Sequence, residues 1–317
     1  MNNTLKWIKI VSMVTLVALF STSCGIKEDL SDCPLPFDIT VRALDSENND
    51  ITTDGDVRNV VVFIFDEKGY LIDRVTMGAE QVKAKTPIHI YKLGLKLEEV
   101  TLVAWGNLSD EDQNKLQGVK KMEDLVVALT PTRATESLAK SPEDLFSGKL
   151  VRTIKYGGLL KDEDGVIDIY RRTASVNITV VGYDGWLKRN GYPKKPFDPS
   201  DLKAAKIIFG ESPNAYAVVD QLVGDMVSYR PIGTMDDRGD YRIAPFRVYP
   251  SLEGKLFSLD FWVNDKMTIS FTQDSTGKPI LPVVGKMLNL LIDFRSAEVS
   301  VTVVVTPWNI VHQFVQY

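Results

Sequence analysis

The chain has 317 residues, 44% of them hydrophobic and 25% charged, with a net charge of −5. That balance is ordinary for a globular protein and argues against nucleic-acid binding, which needs a basic face to neutralise phosphates. Two cysteines and two histidines leave little material for a disulfide framework or a metal site, and at ~100–200 residues per domain the length predicts two domains.

Lys6 and Lys9 precede the uncharged run Ile10–Phe20. That run is about half the ~20 apolar residues a membrane helix needs and fits the hydrophobic region of a signal peptide. Ser21-Thr22-Ser23 and Cys24 follow. Small residues ending in Cys resemble a bacterial lipobox, where the thiol is acylated and the chain is cut just before it. Residues 1–23 are then the signal peptide and Cys24 opens the mature chain. The position three before the Cys, usually Leu, holds Ser21. The alternative is an ordinary secretory signal cut near Ser23, leaving Cys24 a plain thiol. Lys27-Glu28-Asp29, a Lys and two acids just past Cys24, resemble the surface-export signal of Bacteroidetes lipoproteins. Residues 24–36 then form a lipid-anchored tether to the outer membrane. Each buried acyl methylene contributes ~0.8 kcal/mol, and more than one chain makes the hold durable. With Cys24 acylated, Cys33 has no partner and reads as a small buried hydrophobe.

Phe37–Leu44 alternates apolar and polar residues, the period of a half-buried strand. Asn59–Asp66 is a β-branched and aromatic run that reads as a buried strand, and the Gly69 turn returns the chain as Tyr70–Val75, a hairpin. Ile88–Tyr91 and Val100–Trp105 read as strands. Ser109 with three acids after it reads as a helix start running to about Leu116. Met122–Leu129 is a short element of either type, and Thr130–Gly148 reads as a long surface loop. Strands follow at Lys149–Ile154, Val166–Tyr170 and Ala174–Val181, with a domain boundary near Tyr170–Thr173. Gly182–Asp201 reads as a loop, with Trp186 in it. Strands are expected at Lys203–Phe209, Ala215–Val219, Arg242–Tyr249, Lys255–Val263, Met267–Thr272, Leu288–Arg295 and Val299–Val305, with a tight turn at Asn264-Asp265. Many short strands and almost no long amphipathic helix predict an all-β chain of two β-sandwiches. They span residues 37–170 and 171–317.

No arrangement for catalysis stands out. His89 and His312 lie far apart, so a hydrolase triad lacks a base, and the sequence holds no GxSxG, HExxH, P-loop or GxGxxG motif. Asp54/Asp56 and Asp162/Asp164 are turn acids, whose side chains bond nearby backbone. Asp162-Glu163-Asp164-Gly165 with Asp168 lacks the full ligand spacing of a calcium loop. The reading is non-enzymatic, with no cofactor and no metal. Arg238-Gly239-Asp240 reads as a turn tip. Trp105 and Trp262 read as core. Trp186, in a loop with Tyr183 and Tyr192, reads first as a cap over a sandwich end, and is the aromatic to test for a partner, glycan or protein.

The order of these features resembles the FimB-type fimbrial anchor lipoproteins of Bacteroidetes, within the fimbrillin superfamily. The features are the lipobox Cys24 and Asp32-Cys33-Pro34, then Arg58–Asp66 with its Gly69 turn, and Thr101–Asn107 (TLVAWGN). They continue with Arg171–Val176 and a terminal strand ending in Pro307-Trp308. The resemblance implies two transthyretin-like sandwiches in tandem. It also implies a non-enzymatic role: anchoring a fimbria to the outer membrane, exposed on the surface, with shaft or accessory subunits as partners. Subunits of that superfamily join by strand addition, and shaft subunits are activated by cleavage after an Arg. An anchor must keep its lipidated first strand, so no cut is expected at Arg171 or Arg172, and that pair reads as a solvated strand start. Val299–Val305, β-branched and near a chain end, is the strand expected at a partner interface. A surface adhesin or glycan-binding lipoprotein on the same scaffold is the alternative.

Overall fold

The computed structural model describes residues 31–91, 93, 97–131, 137–157, 161–253 and 255–314. The signal peptide, Cys24 and Lys27-Glu28-Asp29 lie outside the described residues. The fold is all-β. The first half supplies nine strands: β1 (Phe37–Leu44), β2 (Asn59–Asp66), β3 (Leu71–Gly78), β4 (Ile88–Ile90), β5 (Glu99–Gly106), β6 (Val126–Ala128), β7 (Leu138–Ala139), β8 (Phe146–Thr153) and β9 (Gly165–Arg171). Seven of them hydrogen-bond in the order β3-β2-β5-β8-β9-β1-β4. The β8 strand pairs with β5 along its whole length but with β9 only at Phe146↔Arg171 and Ser147↔Tyr170. The sheet therefore folds at a corner into two layers. Gly148 permits that corner, because a Cβ there would sit 1.9 Å from the Asp168 carbonyl oxygen.

Alternation along the strands fills the space between the layers. Val60, Val62, Ile64, Val100, Leu102 and Ala104 of one layer meet Phe37, Ile39, Val41, Ile167 and Ile169 of the other in one buried cluster. The opposite face of β2 and β5 is buried as well, which explains the continuous apolar run of β2. Val61, Phe63, Phe65, Val103 and Trp105 lie under the segment from Leu108 to Leu129. After a short α1 (Ala79–Lys83), this segment carries α2 (Asp110–Lys115), whose N-cap Ser109 hydroxyl accepts the Asp112 N–H. Such a cap contributes ~1 kcal/mol.

The second half adds β10 (Ala174–Val181), α3 (Tyr183–Arg189), β11 (Ala205–Ala217), β12 (Gln221–Tyr229), β13 (Thr234–Met235), β14 (Tyr241–Val248), β15 (Ser258–Val263), β16 (Lys266–Phe271), β17 (Lys286–Asp293) and β18 (Ser300–Pro307). One sheet runs β13-β14-β10-β17-β18 and the other β16-β15-β11-β12-β7, with β6 also paired to β11. Val176, Ile178, Val180, Leu290 and Val303 of the first sheet pack against Ile207, Phe209, Leu259 and Phe261 of the second. This is a sandwich core. Asn264 and Asp265 both take positive φ at the β15–β16 turn, as a tight hairpin turn requires.

Three expectations are corrected here. Thr130–Gly148 is more than a surface loop: β7 lies in it, and Ala139 and Leu145 are buried. With β6, it joins the sheet of the second half. Lys203–Phe209 and Ala215–Val219 are parts of one long bulged strand, β11. Gly182–Asp201 contains helix α3, and Trp186 on it is buried. Its ring stacks on Phe294 at 4.7 Å and lies 5.7 Å from Phe261 and 5.8 Å from Tyr183. Tyr183 is fully buried beside it, and burial pushes its phenol far up.

Candidate functional site

Three features of the architecture bear on function: the end where the chain enters β1, the seam between the halves, and the free strand edges. Pro34 bridges to Tyr156, the Leu35 N–H donates to the Lys155 carbonyl (2.8 Å), and the Asp162 N–H donates to the Pro36 carbonyl (2.9 Å). The chain thus enters β1 at the end of the first sandwich that holds Ile90, Tyr156 and Asp162. Asp162 is claimed by Arg152 (2.8 Å) and Lys155 (2.9 Å), whose charges hold its carboxyl well below the usual range. Its acids neutralise local cations. Among the described residues no group of three or more His, Cys, Asp or Glu is placed to hold a metal ion.

The other end of β1 meets the second half. There β9 ends at Arg171 and β10 starts at Ala174. Arg171 is 4% exposed. Its Nε donates to both Asp144 oxygens (2.9 and 3.0 Å), and its Nη2 donates to Asp56. Its guanidinium lies 4.8 Å from the Phe146 ring and 4.1 Å from the Trp308 ring. Asp144 is so enclosed that burial pushes its carboxyl up, against the pull of Arg171. The Arg172 guanidinium donates to Ser147 Oγ (2.7 Å) and to the Ser147 carbonyl (3.0 Å), while its own carbonyl accepts the Tyr216 hydroxyl (2.8 Å). Arg171 is therefore interior and Arg172 half-buried with its guanidinium engaged, which corrects the reading of a solvated strand start. These are the residues that sequence inspection undervalued. The only signal for them was a pair of cations at a strand junction.

Backbone bonds reinforce the seam. Leu129 N–H donates to Asn214 (2.7 Å), Val218 N–H to Leu125 (2.8 Å) and Ser228 N–H to Ser137 (2.7 Å). Trp105 of the first sandwich lies 6.5 Å from Tyr216 of the second. Because apolar contact and hydrogen bonds both cross it, this seam resembles an interior more than a surface between loosely joined domains.

Among the described residues strand β18 is an edge, paired only to β17. Much of its outward side is already occupied. Ser275 N–H donates to the Val301 carbonyl (3.0 Å), Val301 N–H donates to Ser275 Oγ (2.9 Å), and Lys278 Nζ donates to the Val303 carbonyl (2.9 Å). Pro307 lacks an N–H. These are the devices by which proteins blunt edge strands. Val305, 39% exposed, lies on the stretch they leave uncovered.

Other singled-out residues fall into structural roles. Asp240 of the Arg238-Gly239-Asp240 turn is buried and accepts the Gly182 N–H (2.8 Å), so the tripeptide is not displayed. His89 is exposed and pairs with Asp38 at 2.6 Å, while the His312 backbone N–H donates to Asn289 (3.0 Å). Trp262 is half-buried on the outward side of β15, under the Lys206 ammonium at 5.0 Å, which corrects its placement in the core. Trp105 is fully buried. Tyr183 and Trp186 lie inside the second sandwich, as a cap would, and do not form an aromatic surface for a partner.

The family of Fimbrillin-A associated anchor proteins Mfa1 and Mfa2 matches residues 30–314. The chain is 41% identical over 317 residues, all of both chains, to the major fimbrium anchoring subunit FimB of Porphyromonas gingivalis strain W83. Among solved structures it is similar in fold to the fimbrial anchor protein Mfa2 from Porphyromonas gingivalis. That match has a TM-score of 0.57 and 14% identity, and covers 87% of this chain and 98% of that one. A candidate adhesin from Bacteroides ovatus is similar at TM-score 0.61 and 13% identity, covering 87% and 95%. The chain belongs to the family of fimbrillin-associated fimbrial anchor proteins, whose members are structural and not enzymatic.

Proposed function

We propose that this protein anchors a fimbria to the outer membrane, through an acylated Cys24 at one end and strand-mediated contact with a shaft or accessory subunit. The observation that carries the reading is the match to fimbrium anchoring subunits along the whole chain. In this reading residues 1–23 are the removed signal peptide and residues 24–36 the tether. Lys27-Glu28-Asp29 direct the protein to the cell surface. Residues 37–170 and 171–317 carry the two load-bearing sandwiches, with β6 and β7 of the first stretch completing a sheet of the second.

Two physical features support it. An anchor transmits pulling force from shaft to lipid, so its halves must not separate, and the Arg171 network and the β6–β11 and β7–β12 pairings suit that demand. An anchor must also stay in one piece between lipid and fold. Burial of Arg171 and the half-buried, Ser147-bound Arg172 keep that dibasic site from a protease, so β1 stays covalently joined to the second half. The uncovered stretch of β18 around Val305 is the segment we assign to subunit contact, where backbone bonds supply affinity and alternate side chains supply specificity.

The test is a Cys24→Ala variant expressed in a fimbriated host, followed by fractionation and measurement of cell-attached fimbriae. The expected result is release of the protein from the outer membrane and shedding of fimbriae. Retention in the membrane, or fimbriae attached at normal length, overturns the reading.

A further inference from the structure

The tether fixes which part of the fold lies next to the lipid. The Cys33 carbonyl already accepts the Gly157 N–H (3.3 Å) and Pro34 bridges to Tyr156, and the nine residues from Cys24 to Cys33 reach at most ~32 Å when fully extended. The face around Pro34 therefore stays at high effective concentration near the bilayer, where weak contacts become populated. Its chemistry suits an interface of water and lipid. Tyr91 follows Ile90, the partner of Phe37 at the start of β1, and is 67% exposed. Val166 is 45% exposed on β9, paired to Thr40 one residue past Ile39↔Gly165. Leu93, Leu97 and Tyr156 are half-buried, packed against the first sandwich core behind them. Lys155 and Lys161, with side chains 57% and 45% exposed, flank the entering chain.

Tyrosine belongs at bilayer interfaces because its ring is apolar and its hydroxyl stays wet. Lysine can lay its stem along an apolar surface and keep its ammonium among headgroups. The local cations are already matched by acids: Lys155 and Arg152 pair with Asp162, and Lys161 with Asp38 and Asp164. The contact would thus draw on aromatic and apolar burial more than on net charge.

We propose that this end of the N-terminal sandwich is a membrane-docking surface, with Tyr91 seated in the headgroup layer and the stems of Lys155 and Lys161 lying along it. It rests on the reading of Cys24 as acylated. Docking holds the first sandwich against the bilayer and leaves the second sandwich, joined at the opposite end of β1, pointing away from it toward the shaft.

The test uses the full lipidated chain, with Cys33→Ser, in vesicles of phosphatidylethanolamine and phosphatidylglycerol. A thiol-reactive fluorophore is placed at residue 91 (Tyr91→Cys) or at residue 232 (Ile232→Cys), which is 56% exposed in the second sandwich. Quenching by aqueous iodide is measured in each. The expected result is several-fold weaker quenching at residue 91 than at residue 232 on vesicles, and equal quenching in the lipid-free Cys24→Ala protein. Equal quenching at both positions on floating vesicles overturns the docking surface alone. If the lipidated chain does not float with vesicles, or floats no better than Cys24→Ala, the anchor reading falls and the docking surface falls with it.

Discussion

Replacing Arg171 with methionine keeps much of the side chain's volume and removes its charge. Asp144, whose side chain is 15% exposed, then loses the cation that holds it, while Asp56 at 35% exposure can turn to water. Breaking a buried pair by removing one partner costs ~3–5 kcal/mol. The half-solvated Asp56 arm contributes less than ~1 kcal/mol, and lost stacking on Trp308 adds about as much. A net loss of about 4 kcal/mol follows, or roughly 10 °C in Tm at this chain length. The assay is thermal unfolding of Arg171→Met against wild type, followed by circular dichroism. The pH dependence gives the reasoning a second test. Burial already raises the Asp144 carboxyl, and loss of Arg171 raises it further. A carboxyl raised above its unfolded value favours folding while protonated and loses that contribution as pH rises. The deficit of Arg171→Met should therefore shrink as pH falls from ~7.5 towards ~4. Arg171→Met combined with Asp144→Asn should recover much of the loss at neutral pH, because no charge is left unpaired. A Tm unchanged within ~2 °C, or a deficit independent of pH, would refute the account.

Trp186→Ala should cost ~3–5 kcal/mol by urea unfolding, the usual loss for deleting a large buried aromatic. If Trp186 were instead a surface contact, the variant would match an exposed change such as Ile232→Ala, within ~0.5 kcal/mol. Asp50 accepts hydrogen bonds from Lys85 and Thr52, which hold its carboxyl down at about 2. A depressed carboxyl contributes stability above its unfolded value and loses it on acidification. The stability gap between wild type and Asp50→Asn should therefore be present at neutral pH and close as pH falls from ~4 to about 2. A gap that persists at the acid end would sink that assignment.

Strands β1, β2 and β10 begin and end where alternation or an unbroken β-branched run says they should. There, side-chain pattern and burial agree along one continuous segment. Strand β12 was not legible, because Gly224 and Asp225 interrupt it and its residues are mostly half-exposed. The short β6 and β7 carry too few residues for any period. They become strands only because β11 and β12, far along the chain, present free edges to them. Trp186 looked like a loop aromatic because Gly182 and Pro193 bracket it. Its burial follows from Phe261 and Phe294, which no local pattern brings near.

The chemical character of this protein was fixed locally. The signal-like run, Cys24 with its small residues, the all-β pattern and the lack of a base for catalysis are properties of neighbouring residues, and such properties can be read in order. The tertiary structure decided where the cations and aromatics stand. It buried Arg171 between two carboxylates and two rings, capped most of the β18 edge, and put Tyr91 next to the start of β1. Those outcomes depend on pairings between distant segments, where hydrogen bonds and buried area are shared by residues that sequence spacing does not connect.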